Sequence, residues 1–296
     1  MQTTSTETSS TTDSSEQLTP LRVGIQGYTG AFHEIATRRF FSDRPLNIVP
    51  AHTFPELISS LLDGSEMDIG LMAIENTLAG SLMANYRLLL ENAVRIVGEV
   101  FLRIEQNLLV LPGVKIEELQ EVHSHPVAIA QCREFFLQHP HIQLVETVDT
   151  ALSAREVQEN SWRHVGAIAS NLAADVYDLE TLAAGIETNK QNHTRFLVLE
   201  RDCGQQPPAK ANKVSVSFTV DHTVGSLYKV LAVLSAYNVN LTKIQSAPII
   251  GKPWEYLFFI DFMAEGAMGW EQALDAIRPI THELHLLGAY VQGVKN

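Results

Sequence analysis

The segment Asn192-His193-Thr194-Arg195-Phe196 runs straight into Leu197-Val198-Leu199, setting a hydroxyl, a fixed cation and an aromatic ring at the mouth of a buried strand. Side chains alternate across a strand, so Thr194 and Phe196 share one face and Arg195 takes the other, unless the chain is still turning there and all three converge. Arg stays charged and forks onto carboxylates. Beside a hydroxyl, a weak acid, it points to an anionic small molecule. On these five residues alone the plainer reading is a β-branched residue and a surface Arg at a strand entry.

Three loop-to-helix junctions elsewhere could hold an anion. In Gly24-Ile25-Gln26-Gly27-Tyr28-Thr29-Gly30 a strand meets a glycine-bearing turn that opens a helix, exposing free N–H groups and the positive end of a helix dipole. It lacks G-x-G-x-x-G spacing and the Lys-Ser/Thr of a P-loop, which leaves a carboxylate as the better ligand than a nucleotide. Glu75-Asn76-Thr77-Leu78-Ala79-Gly80-Ser81 offers amide and hydroxyl groups ahead of a helix, with capping by Thr77 or Ser81 as its structural reading. His123-Ser124-His125-Pro126 places a proline at a first helical position. There Ser124 is the natural cap, and His125 is either structural or a proton donor.

The elements that must position these groups follow from hydrophobic pattern. From residue 22 to about 199, short β-branched runs alternate with helical periodicities, the signature of an α/β unit with a largely parallel sheet. Strand-like runs at 22–25, 46–49 and 68–74 are followed by helical patterns at 31–41, 54–62 and 81–91. The register changes at 94–104 and 107–111, after which strand and helix pairs resume at 121–123 with 127–137, 142–145 with 151–159, and 165–169 with 171–177. Two lobes joined by crossing strands result, roughly 21–99 with 190–202, and 100–189. The segment 203–212, with Pro207-Pro208, continues neither strand nor helix and marks a linker. Beyond it, strands at 213–220, 241–250, 256–262 and 289–291 and helices at 225–237 and 270–286 read β-α-β-β-α-β over residues 213–294.

Composition bounds the chemistry. A chain of 296 residues with net charge -13 has room for several packed units, and its charge opposes extended phosphate contact, excluding nucleic acid as a partner. Residues 1–20 are rich in Ser and Thr without a basic start or an apolar run, and so read as a disordered tail and neither signal peptide nor membrane anchor. Two cysteines, Cys132 and Cys203, form neither a disulfide framework nor a metal spacing, which suits a cytoplasmic protein. None of the eleven histidines falls in a metal-ligand pattern. No metal or cofactor is expected.

Several of these motifs, in order, resemble prephenate dehydratases. They are residues 27–34, residues 68–81 with the Glu-Asn-Thr segment, Ser124-His125-Pro126 with Gln131-Cys132, and Asn192 to Phe196. The resemblance implies a two-lobed cleft similar to type II periplasmic binding proteins and a C-terminal ferredoxin-like ACT domain. It implies conversion of prephenate to phenylpyruvate in phenylalanine biosynthesis, with Thr194 as the catalytic hydroxyl. Arg195, Phe196, Asn76, Thr77, Ser81, Gly30, Ser124 and His125 would contact substrate, and His33 or His125 would assist Thr194. For an L-phenylalanine effector it implies Gly225, Ser226, Leu227, Asn240, Leu241, Gln245 and Ser246, in a homodimer or homotetramer. Gln245-Ser246-Ala247-Pro248 departs from the family's Glu-Ser-Arg-Pro, and Ser226 stands where Ala is usual, so weaker effector coupling is expected. The residues before Arg22 are too few and too polar for a fused chorismate mutase. Rival readings are an arogenate dehydratase and a non-catalytic amino-acid-sensing binding protein.

Because an aromatising elimination needs no Lewis acid and no metal-ligand spacing occurs, dialysis against EDTA should leave phenylpyruvate formation unchanged. Loss of activity restored by Mg²⁺ or Zn²⁺ would contradict this reading.

Overall fold

The structure, a computed structural model, describes residues 19–264 and 269–294. Most of the expected N-terminal tail, residues 1–18, lies outside the described residues. The chain runs β1 (Leu21–Gln26), α1 (Phe32–Phe40), β2 (Leu46–Ala51), α2 (Phe54–Asp63), β3 (Ile69–Asn76), β4 (Gly80–Ser81), α3 (Met83–Glu91) and β5 (Val94–Arg103). It continues through β6 (Asn107–Val110), β7 (Glu121–Ser124), α4 (Pro126–Phe136), β8 (Gln143–Glu146), α5 (Thr150–Glu159), β9 (Val165–Ala169), α6 (Asn171–Val176) and β10 (Glu180–Ala183). Last come β11 (His193–Arg201), β12 (Lys213–Thr219), α7 (Ser226–Ala236), β13 (Asn240–Pro248), β14 (Tyr256–Met263), α8 (Trp270–Ile277) and β15 (His282–Tyr290).

Local chemistry sets many boundaries. Thr53 caps α2 by accepting from the Glu56 N–H, and Gly64 closes that helix in the left-handed conformation. Asp149 and Ser170 cap α5 and α6 through the N–H groups of Leu152 and Ala173. Helical periodicity carried the second helix of the C-terminal unit to residue 286, but α8 ends at Ile277. Pro279 cannot continue it, and residues 282–290 form a long strand where only 289–291 was expected.

The strands build three sheets. In the first, order β2-β1-β3-β11-β5, the strands β1, β2 and β3 are parallel and β11 is antiparallel to both neighbours. All of β5, to Arg103, belongs here, past the expected lobe limit near 99. The second sheet, β10-β6-β9-β7-β8, forms the other lobe. Its β9 is buried throughout, as a strand covered on both faces should be. The segments crossing between lobes bond to each other, Ile104 N–H to the Asn192 carbonyl at 2.7 Å and Ile186 N–H to the Gln106 carbonyl at 2.7 Å.

The third sheet, β13-β14-β12-β15, is antiparallel, with α7 and α8 over one face. Its opposite face packs on the first lobe, where Ala247, Phe259, Leu287 and Tyr290 join one apolar cluster with Leu57, Tyr86 and Ile96. Among the described residues no helix is long and apolar enough to cross a membrane.

Gly288 makes this packing possible, since a Cβ there would run into the Ile96 carbonyl oxygen on β5. Gly288→Ala should destabilise the protein by about 1–3 kcal/mol, the usual cost of overpacking, and hasten proteolytic cutting in residues 203–212. An unchanged melting temperature would show that the two units can separate at no cost.

Candidate active site

Strand β11 brings Thr194 to a cavity of about 380 Å³ between the lobes, bordered by Gln26, His33, Asn76, Gln131, Asp149 and Phe196 among others. Alternation along the strand prevails, because Thr194 and Phe196 line the cavity while Arg195 does not. In register, Thr194 stands opposite Asn76 of β3.

Asn76 orients that hydroxyl. Its Oδ1 accepts the N–H groups of Leu78 and Ala79, both at 2.9 Å, which fixes the amide so that Nδ2 points to Thr194 Oγ1 at 2.9 Å and to Asn192 Oδ1 at 2.8 Å. An amide nitrogen only donates, so Thr194 Oγ1 accepts and its own proton remains to be donated. Asn192 Nδ2 in turn donates to Gln131 Oε1 at 2.9 Å, which also receives Gln106 Nε2 at 3.2 Å. This chain of amides runs from the first lobe through the crossing segments into the second, leaving the N–H groups of Gln131 for a ligand.

His33 sits edge-on to Phe196, ring centroids 4.9 Å apart, and its Nε2 is buried without a hydrogen-bond partner among the described residues. Burial pulls its pKa from 6.5 down to about 4, so the ring is neutral at pH 7. His125, across the cavity, caps α4, its Nδ1 accepting the Val127 N–H at 3.3 Å. Asp149 lies nearby with its pKa raised by burial, against the N–H groups of Leu152 and Ala151 and the charge of His125.

Other residues expected to touch substrate sit elsewhere. The Arg195 guanidinium is buried on the opposite face of β11, donating to Glu99 at 2.7 Å, to Asp261 and to the Tyr290 hydroxyl at 3.0 Å. This corrects the expectation that it holds a substrate carboxylate. Ser124 is fully buried, donates to the Ile168 carbonyl at 2.7 Å, and leaves capping to His125. Thr77 Oγ1 donates to the Gln191 carbonyl at 2.6 Å, tying its loop to the entry of β11. Ser81 accepts from Lys243 at 2.8 Å at the contact with the third sheet.

Gly30 serves the contact between lobes. Its N–H goes to Glu34 at 2.8 Å, its carbonyl accepts Ser170 Oγ at 2.6 Å, and a Cβ would sit 2.9 Å from the Ala173 Cα. The anion expected at that loop therefore has no free Gly30 amide. Among the expected effector residues, Ser226 and Leu227 line a separate cavity of about 150 Å³ beside Gly225, the residue capping α7. Asn240, Leu241, Gln245 and Ser246 lie along β13 and do not border it.

A family model described as prephenate dehydratase matches residues 23–204, more than half of the chain. The chain belongs to the prephenate dehydratase family. Arogenate dehydratase 2 of Petunia hybrida is 37% identical over 286 residues, covering 91% of this chain and 71% of that protein. The solved structure of GqqA, described as a novel type of quorum quenching acylase, is similar with a TM-score of 0.82 and 31% identity, over 92% of this chain and 98% of that one. Prephenate dehydratase from Arthrobacter aurescens, solved in complex with L-Phe, is similar with a TM-score of 0.79 and 27% identity, over 92% and 90% of the two chains.

For a family member, the sequence reading missed Gln26, Gln106 and Asp149 at the cleft and assigned no role to Gln131. The cap ahead of α5 marks Asp149, but nothing local shows that this helix starts at the cavity. His33 carries a consequence for stability. Its folded pKa lies below the unfolded value, so its contribution is complete above pH 6.5 and is lost as pH falls towards 4. Replacing it by Asn should remove on the order of 1–3 kcal/mol of the acid-induced loss between pH 7 and 4, measured by urea melts. Identical acid sensitivity in wild type and variant would rule out a neutral buried His33.

Proposed function

We propose that the protein converts prephenate to phenylpyruvate, with Thr194 donating a hydrogen bond to the departing ring hydroxyl. As the ring carboxylate leaves as CO₂, its bonding electron pair moves through the ring and expels hydroxide from the opposite carbon, leaving an aromatic product. Thr194 is too weak an acid to transfer its proton outright near neutrality, so it stabilises the leaving oxygen while water completes the protonation. The observation that carries this reading is the fixed Asn76 amide, which makes Thr194 Oγ1 an acceptor and frees its proton.

Arogenate is the second reading, favoured by the Asp149 carboxyl on the cleft wall, which could hold an ammonium group. An acylase activity, as named for GqqA, finds less support where it would need Thr194 as nucleophile, because an amide nitrogen on Thr194 cannot take its proton and activate it. The βαββαβ unit reads as an ACT domain in a homo-oligomer. L-phenylalanine is its proposed effector, near Ser226 and Leu227, with Gln245 and Ala247 weakening the coupling.

Thr194→Ala should lower kcat by about 10²- to 10⁴-fold with KM little changed. Asn76→Asp should also be impaired, because a carboxylate only accepts and would draw the Thr194 O–H hydrogen bond to itself. Turnover of purified protein on prephenate and arogenate compares the two substrates directly. Near-normal turnover by Thr194→Ala would remove the hydroxyl from the mechanism.

A further inference from the structure

The strand pair that presents Thr194 and Asn76 to the cleft presents their chain neighbours to the third sheet. In the β3–β11 ladder Arg195 stands opposite Glu75, one step from the Thr194–Asn76 pair. In the β13–β14 ladder Lys243 stands opposite Asp261. The two cross-strand pairs meet with unlike charges facing. Lys243 Nζ lies 2.9 Å from Glu75 and 2.8 Å from Ser81 Oγ, while Arg195 donates to Asp261. Ser81 is itself opposite Glu75 in the β3–β4 ladder, so Lys243 grips β3 and β4 together.

The arrangement bears directly on the Asn76–Thr194 hydrogen bond. Adjacent residues of a strand cannot slide independently, so the spacing of Glu75 from Arg195 and that of Asn76 from Thr194 are one quantity. The ladder is irregular just there, with its register shifting between Arg195 and Phe196. It therefore lacks the regular pairing on one side that would otherwise hold it. We infer that Glu75 and Lys243 are positioning residues: together with Arg195 and Asp261 they form a four-charge clamp through which the βαββαβ unit holds β3 and β11 in the register at which Asn76 orients Thr194.

Lys243 lies under the sheet, its side chain 8% exposed and its ammonium 5.4 Å from the Tyr86 ring centroid, whereas Glu75 is 40% exposed. A half-exposed carboxylate adds little to stability through such a pair, so neutralising it separates a positioning role from a folding role. The inference rests on the proposed dehydratase reaction, and wild-type turnover in the same assay tests that reaction separately.

The experiment compares wild type, Glu75→Gln, Lys243→Met, Lys243→Arg and the double variant Glu75→Gln/Lys243→Met for kcat and KM on prephenate, and on arogenate if that is the substrate, alongside melting temperature. Glu75→Gln and Lys243→Met should each lower kcat by about 10- to 100-fold with KM within about twofold, while Lys243→Arg recovers most of the loss. The double variant should be no worse than the poorer single, because both remove one interaction. Wild-type kcat in Glu75→Gln would overturn the inference, whatever happens to the melting temperature. So would losses that multiply in the double variant.

Discussion

Strand β11 lies between two antiparallel neighbours and is buried from Thr194 to Leu199, so each side chain of that stretch must be absorbed by the cleft, by the first lobe's own core or by the third sheet. The period of two then divides its residues by role. Thr194 and Phe196 become cavity wall, and Arg195 becomes a buried cation that requires partners. Those partners come from β5, β14 and β15, so attachment of the βαββαβ unit and presentation of the hydroxyl follow from one strand placed once.

The buried cation sets the energetics of that attachment. Arg195 and Lys213 face Glu99 and Asp261, a cluster with no net charge, and Glu99 also accepts the Gly293 N–H at 3.1 Å. Desolvation opposes the charge on Arg195, yet Asp261, Tyr290 and Glu99 outweigh it and raise its pKa. Lys213, disfavoured by burial and by neighbouring Arg195, shifts down instead. Such a cluster adds little net stability over an apolar core, but removing one partner strands the others at a cost of about 3–5 kcal/mol. The interface is therefore specific in register, since the apolar contacts around it tolerate sliding and the charges do not.

The cleft follows a different principle, with amides where the interface has ions. Asn76 donates to Asn192, and Asn192 and Gln106 both donate to the Gln131 carbonyl oxygen, a run of neutral amides that links the two lobes beside Thr194. On the other rim the lobes are latched by Ser170 onto the Gly30 carbonyl, by Tyr177 onto the Thr29 carbonyl at 2.7 Å, and by Arg155 over the Tyr28 ring. The glycine loop is thus spent on joining the lobes. Its N–H groups, read from sequence as an anion site, are taken within the first lobe, Gly27 by the Ala51 carbonyl, Gly30 by Glu34 and Ala31 by the Tyr28 carbonyl.

Much of this was legible in the chain itself. Alternating strand and helix patterns, the Pro-rich break before residue 213 and the β-α-β-β-α-β order are local signals, written in hydrophobic period and caps. So was the alternation that separates Arg195 from Thr194, although family resemblance pulled all three residues of the motif into the cleft. What the sequence could not supply was the partner of each polar group. Arg195 meets Asp261 across 66 positions and Asn76 meets Thr194 across 118, distances over which no periodicity carries information. Ser81, Ser124 and Gly30 have residue types that suit a ligand equally well, and only packing decided that Lys243, Ile168 and Glu34 reach them first. Residue type and spacing determined which groups were available for chemistry, while tertiary structure decided which of them were already engaged, because a hydrogen-bonding atom satisfied inside the protein is no longer free for a substrate.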